Sequence, residues 1–101
     1  MINYDAMYLC AVEFLEVRPS GGLRFDTNMT REQAVTAASE LKARGLIAMA
    51  IKMESVLPKR VVERFTIMVA RDEELMADLL NQLRRDGARE PPEVTITALV
   101  N

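Results

Sequence analysis

Hydrophobic and polar positions along this chain change period several times, and the order of those changes predicts an architecture. Met7 to Val17 alternates imperfectly. Tyr8, Cys10, Val12 and Phe14 fall on one side and Met7, Leu9, Ala11, Leu15 and Val17 on the other, with Glu13 among them. Side chains alternate across a strand, so apolar residues on both sides predict a central strand covered on both faces, with a bulge near Glu13. Arg18-Pro19-Ser20-Gly21-Gly22 reads as a turn and Leu23 to Asp26 as a short return strand. Glu16 to Asp26 is therefore expected to form a hairpin arm with Arg18 and Arg24 at its tip.

A helix follows. Thr30 is placed as an N-cap with Gln33 three residues on, a capping box. Glu32 suits the positive first turn, and Lys42 and Arg44 the negative last turn. Ala34, Ala38 and Leu41, flanked by Val35 and Ala37, make a narrow stripe of small residues that lets a helix lie close on a sheet. Gly45 ends it. Ile47, Met49, Ile51 and Met53 then alternate strictly with Ala48, Ala50, Lys52 and Glu54, which predicts a strand. Arg60 to Ala70 alternates again, and the two strands read as a hairpin closed by a loop longer than the tightest turns. A second helix is expected from Asp72 to Asp86, with acids at its start, Arg84 and Arg85 at its end, and Leu75, Met76, Leu79, Leu80 and Leu83 as its apolar face. Gly87 reads as its stop and Arg89-Glu90-Pro91-Pro92 as a rigid connector. Val94 to Val100 is the last strand.

The order β-α-β-β-α-β predicts an α+β, ferredoxin-like two-layer sandwich. In it an antiparallel sheet carries two helices on one face, the first and third strands of the repeat lie in the centre, and the hairpin arm follows the first strand. The core face should take Ile47, Met49, Ile51, Met53, Phe65, Ile67, Val69, Val94, Ile96, Ala98 and Val100. The opposite, open face should show Ala48, Ala50, Lys52, Val62, Arg64 and the set Thr66, Met68, Thr95, Thr97 and Leu99. At about 25 cal/mol per Å² of apolar area, such a face favours company. The expectation is a homodimer packed sheet to sheet through that last set.

Composition narrows the rest. A chain of 101 residues, half of them hydrophobic, is expected to be one domain spanning 1–101, with no extra staple needed for its core. Thirteen Lys and Arg against fifteen Asp and Glu leave a formal charge of −2, no global pull toward nucleic acid or an anionic membrane. The lone Cys10 suits a reducing compartment. The N-terminal stretch lacks the basic start and cleavage site of a secretory signal, and no apolar run approaches the roughly 18 residues needed to cross a bilayer. A cytoplasmic location is the expectation, with no membrane partner.

The absence of His removes the usual proton shuttle and the commonest transition-metal ligand. Cys10 is expected to be a buried, inert thiol, because nothing cationic lies near it in sequence. Ser20, Ser39 and Ser55 have no neighbouring base. Asp72-Glu73-Glu74 is accounted for by the helix start it occupies. Glu13 would become a site candidate if buried beside Lys52 or Arg64, with exposure at the start of the arm the competing reading. Pro19-Ser20-Gly21-Gly22 matches no phosphate-binding fingerprint, since a strand follows it. RNA-recognition motifs stack bases on aromatics of the open sheet face, whereas this chain offers Arg64, Thr66 and Met68 there, which argues against nucleic acid. The run Arg18 to Leu23 resembles the Pro-Gly loop of ACT-type amino-acid-binding domains in position. It departs from that family in the strand-like segment that intervenes before Thr30, so no family is assigned from it.

The function expected is a non-catalytic protein-interaction module: a small regulator, adaptor or inhibitor of a larger complex. No cofactor or metal is expected. Arg18 and Arg24 on the arm, and Lys59, Arg60 and Arg64 around the second hairpin, are the expected partner-binding residues. The alternative is a small-ligand sensor with a concave site between the first loop and the first helix.

Overall fold

The computed structural model describes residues 2–89 and 93–99, apart from the side chain of Thr27. Among the described residues it is an α+β fold of three helices on a four-stranded antiparallel sheet. The elements are α1 (Tyr4–Val17), β1 (Gly22–Met29), α2 (Arg31–Ala43), β2 (Ile47–Leu57), β3 (Arg60–Ala70), α3 (Glu73–Arg89) and β4 (Val94–Ala98). The sheet order is β1-β3-β2-β4.

The first segment is a helix, not the expected central strand. Asn3 caps it, its side chain accepting from the Ala6 N–H at 3.0 Å, with Asp5 in the first turn. Met7, Ala11 and Leu15, spaced by four, are its buried stripe. A segment apolar on every side fits either period, and the cap decides it. No bulge at Glu13 and no hairpin arm over Glu16–Asp26 therefore exist. The chain leaves α1 through Arg18 and Pro19 and enters β1, which pairs with β3. Arg18 and Arg24 sit on different elements and share no tip.

The second segment of the chain agrees with its sequence. Thr30 and Gln33 form the reciprocal capping box, at 2.9 and 3.2 Å. Ala34, Ala37, Ala38 and Leu41 are buried against the small Ala48 and Ala50 of β2. Gly45 takes a positive φ of 95° just past the helix end. Further on, α3 runs past Gly87 to Arg89 instead of stopping there. At Gly87 a side chain is excluded by close approach, because a Cβ would lie 2.8 Å from the Val94 carbonyl oxygen. The connector residues 90–92 and Val100 lie outside the described residues.

Strand order decides which faces are covered, and here it overturns the two-layer expectation. β2 and β3 hold the centre, with β1 and β4 at the edges. The crossover from β1 through α2 to β2 skips over β3, and that from β3 through α3 to β4 skips over β2, in the same direction. Because β1 and β3 are antiparallel, two right-handed crossovers of this kind must lie on opposite faces. The core divides accordingly. Ala48, Ala50, Ile67 and Val69 pack with α1 and α2, while Ile51, Met68, Ala70 and Ile96 pack with Met76 and Leu80 of α3. The chain is three-layered, and neither face is open over its centre.

The register also departs from expectation, by one residue. Pro58 and Lys59 form a two-residue turn, shorter than expected, so Leu57 pairs with Arg60 and Met49 with Met68. Ile47, Met49 and Ile51 therefore share a face with Met68 and Ala70, and Phe65, Ile67 and Val69 face the other way. A slip of one residue exchanges the two faces of a strand. The turn uses no positive φ, consistent with Pro58 holding a fixed negative one.

Candidate interaction surface

The five residues expected to form a dimer face do not share one. Thr66 is 1% exposed and Met68 6%, both on the side covered by α3. The buried Thr66 hydroxyl donates to the Phe25 carbonyl, so its polarity is satisfied inside the chain. Thr95 and Thr97 are exposed on the other face of β4. Leu99 is half-buried against the α1–α2 cluster, its N–H donating to the Ala50 carbonyl at 2.9 Å. A sheet-to-sheet dimer through this set has no surface to form on.

The basic residues separate into three places. Arg18 caps the end of α1, its N–H donating to the Phe14 carbonyl. Arg24 lies on β1, paired with Asp26 at 2.8 Å and reaching toward the Met53 sulfur at 4.0 Å. Lys59, Arg60 and Arg64 remain together on the β2–β3 hairpin. Arg60 and Arg64 point to the α3 side. Arg64 lines a groove of about 490 Å³ beneath the end of α3, with Asp86 and Arg89 at its rim and Met53, Leu83, Val94 and Ile96 as apolar lining.

That hairpin is longer than the strands beside it. β2 and β3 are 11 residues each, but β4 accompanies β2 only over Ile51–Ser55, and β1 accompanies β3 only from Phe65 to Ala70. Among the described residues, no further strand pairs with either edge of this hairpin beyond Ser55 and Phe65, where it continues as a ribbon. Val56 and Val61 sit directly opposite each other on it, 67% and 55% exposed. The face that carries the two valines also carries Glu54 and Glu63 next along the strands, while Arg60 lies on the reverse face and Lys59 in the turn.

Among the described residues, the other exposed large hydrophobics are Leu9 and Val17, both on the outer side of α1. Cys10 is exposed there too, contrary to the buried thiol expected, because the residue lies on a helix turned outward and not within a sheet. Glu13 is also exposed, which removes the buried-carboxylate reading. α1 carries no Lys or Arg. Of its acids, Asp5 is paired with Arg44 at 2.7 Å, an exposed bridge worth little to stability.

The ribbon could have been noticed in the sequence. Val61 and Val62 are adjacent, so one must face out, and two alternating runs of this length outrun the run at Val94. The exposure of Leu9 and Val17 follows from helical spacing, which alternation across a strand does not predict. The concavity expected of a ligand sensor corresponds to a shallow cleft of about 340 Å³ between α1, β1 and the start of α2, lined by Asn3, Met7, Phe25, Asn28, Met29 and Gln33. None of those residues is charged. No helix among the described residues is long and apolar enough to cross a membrane.

Comparison with protein-family models, with curated proteins and with solved structures found no match.

Proposed function

We propose that this chain is a non-catalytic protein-interaction module, a small regulator or adaptor that docks through the β2–β3 ribbon. The observation that carries this reading is the Val56–Val61 pair. These two side chains belong to neither core cluster, yet stand exposed on a ribbon that extends from the sheet. Covering the exposed part of these two side chains contributes about 2–4 kcal/mol before the costs of association. That is too little for a lasting complex by itself. Along the described residues the ribbon edges add main-chain donors and acceptors for strand addition, and Lys59 in the turn adds a positive charge at the tip. The homodimer is not proposed through the sheet face, which α3 occupies.

A pull-down from the native host compares the wild-type chain with the double variant Val56→Ser, Val61→Ser and with Thr36→Ala, an exposed change on α2. At least one of the polypeptides retained should be lost from the ribbon variant and kept by the α2 variant, while both melt close to the wild type. Retention of every one of them by the ribbon variant would overturn the proposal.

A further inference from the structure

Of the three helices among the described residues, α1 alone turns large apolar side chains to solvent. The exposed large hydrophobics are Leu9 and Val17 on α1 and the two ribbon valines, and α2 and α3 contribute none. With 3.6 residues to a turn, Ala6, Leu9, Cys10, Glu13, Glu16 and Val17 lie on one side of α1, opposite the buried Met7, Ala11 and Leu15. All six are exposed. A helix covered on one side only ordinarily turns polar groups outward, as α2 does with Arg31, Glu32, Thr36 and Ser39.

The charges on this side of α1 have one sign. Glu13 and Glu16 stand on it, and α1 contains no Lys or Arg. Both acids lie toward the negative end of their own helix, where a cation is the favoured neighbour. Arg71 lines the same recess as Glu16, yet neither Glu13 nor Glu16 belongs to an ion pair among the described residues.

From exposed apolar groups set among uncompensated acids we infer that α1 is a second docking surface, and that its occupant is a helix of another protein carrying Lys or Arg beside an apolar stripe. The partner's apolar side chains cover Leu9 and Val17 while its bases meet Glu13 and Glu16. The small Ala6 and Cys10 between them let a second helix lie close. From Ala6 to Val17 the stripe is about 17 Å long at 1.5 Å per residue, three turns for a partner helix to follow. A second copy of this chain does not fit. Packing α1 on α1 sets acid against acid, and the valine face of the ribbon carries Glu54 and Glu63. The same acids repel nucleic acid and an anionic bilayer.

The test titrates the full chain with a model peptide of Leu and Lys at helical spacing, about 14 residues long, and with its counterpart carrying Glu in place of Lys. Binding is read by fluorescence anisotropy. Its place is read by the rate at which a thiol reagent labels Cys10, which lies within the stripe and is exposed. The Leu–Lys peptide should bind with a dissociation constant below about 1 mM and weaken as salt is added. At saturation it should slow the labelling of Cys10 at least about tenfold, and the Leu–Glu peptide should do none of this. The double variant Glu13→Lys, Glu16→Lys, confirmed folded by its melting curve, should raise the dissociation constant at least about tenfold. The ribbon variant Val56→Ser, Val61→Ser should leave it unchanged. Glu13→Gln with Glu16→Gln stands in if the lysine pair fails to fold. No binding of the Leu–Lys peptide, binding that leaves Cys10 as reactive as before, or an affinity unchanged by the loss of both acids would overturn the inference. None of these results touches the ribbon, which the pull-down decides separately.

Discussion

Truncating Met68 to Ala separates a covered sheet from an open one. Met68 is 6% exposed and packs with Ile51, Ala70, Met76, Leu80 and Ile96. Met→Ala in a core costs about 2–5 kcal/mol, the lost transfer of the side chain plus the cavity left behind. Around Met68 the sheet side of the cavity is rigid, while Met76 on α3 is flexible enough to fill part of it. The lower half of the range follows, about 2–3 kcal/mol. Against a total stability of about 5–15 kcal/mol that is a large fraction, and at about 4–8 °C per kcal/mol it lowers the melting temperature by roughly 10–20 °C. The assay is urea and thermal unfolding followed by far-ultraviolet circular dichroism, at two protein concentrations to exclude a contribution from association. Val61→Ala, on the ribbon, is the control and should cost less than about 1 kcal/mol. If Met68→Ala unfolds within about 0.5 kcal/mol of the wild type, or no more easily than Val61→Ala, α3 does not cover this face and the reasoning fails.

Other outcomes follow from single positions. Gly87→Ala sets two effects against each other: helix propensity alone favours Ala by about 1 kcal/mol, but the added Cβ would lie 2.8 Å from the Val94 carbonyl oxygen. Backbone cannot yield as a side chain can, so thermal melting should show a net loss of about 1–3 kcal/mol; a stabilised variant would mean that α3 and β4 do not approach this closely. Thr30→Ala removes one half of the capping box and should cost about 0.5–2 kcal/mol in urea unfolding, with no loss if α2 begins elsewhere. Cys10 is exposed, so a thiol reagent such as Ellman's should label one thiol per chain without prior unfolding. Labelling that waits for denaturant would place residue 10 inside and contradict the orientation of α1.

Much of the fold is legible in the sequence wherever a local signal stands apart from tertiary context. The Thr30–Gln33 box, Gly45, the alternation from Ile47 and the leucine stripe of α3 all specify their own elements. The segment from Met7 to Val17 does not, because apolar residues on every side suit a buried strand and a packed helix equally. Asn3, with Asp5 two residues on, was the discriminating signal at its start. The two-residue turn at Pro58–Lys59 would likewise have set the register, pairing Met49 with Met68 and so placing Ile67 on the face opposite Met49. Which face each helix covers was not legible, since it depends on whether β4 joins the sheet beside β1 or beside β2. That choice rests on long-range packing, and it moved Thr66 and Met68 from a supposed surface to a core. Of the residues expected to bind a partner, Lys59, Arg60 and Arg64 stay together on the hairpin, while Arg18 and Arg24 part company.

The most direct measurement is the broadening of side-chain methyl signals by a soluble nitroxide, recorded by nuclear magnetic resonance at a concentration where the chain is a single copy. The account predicts that the Val56 and Val61 methyls broaden strongly while the Met68 methyl keeps its intensity, sheltered by Met76 and Leu80 of α3. A Met68 signal lost as readily as that of Val61 would contradict it.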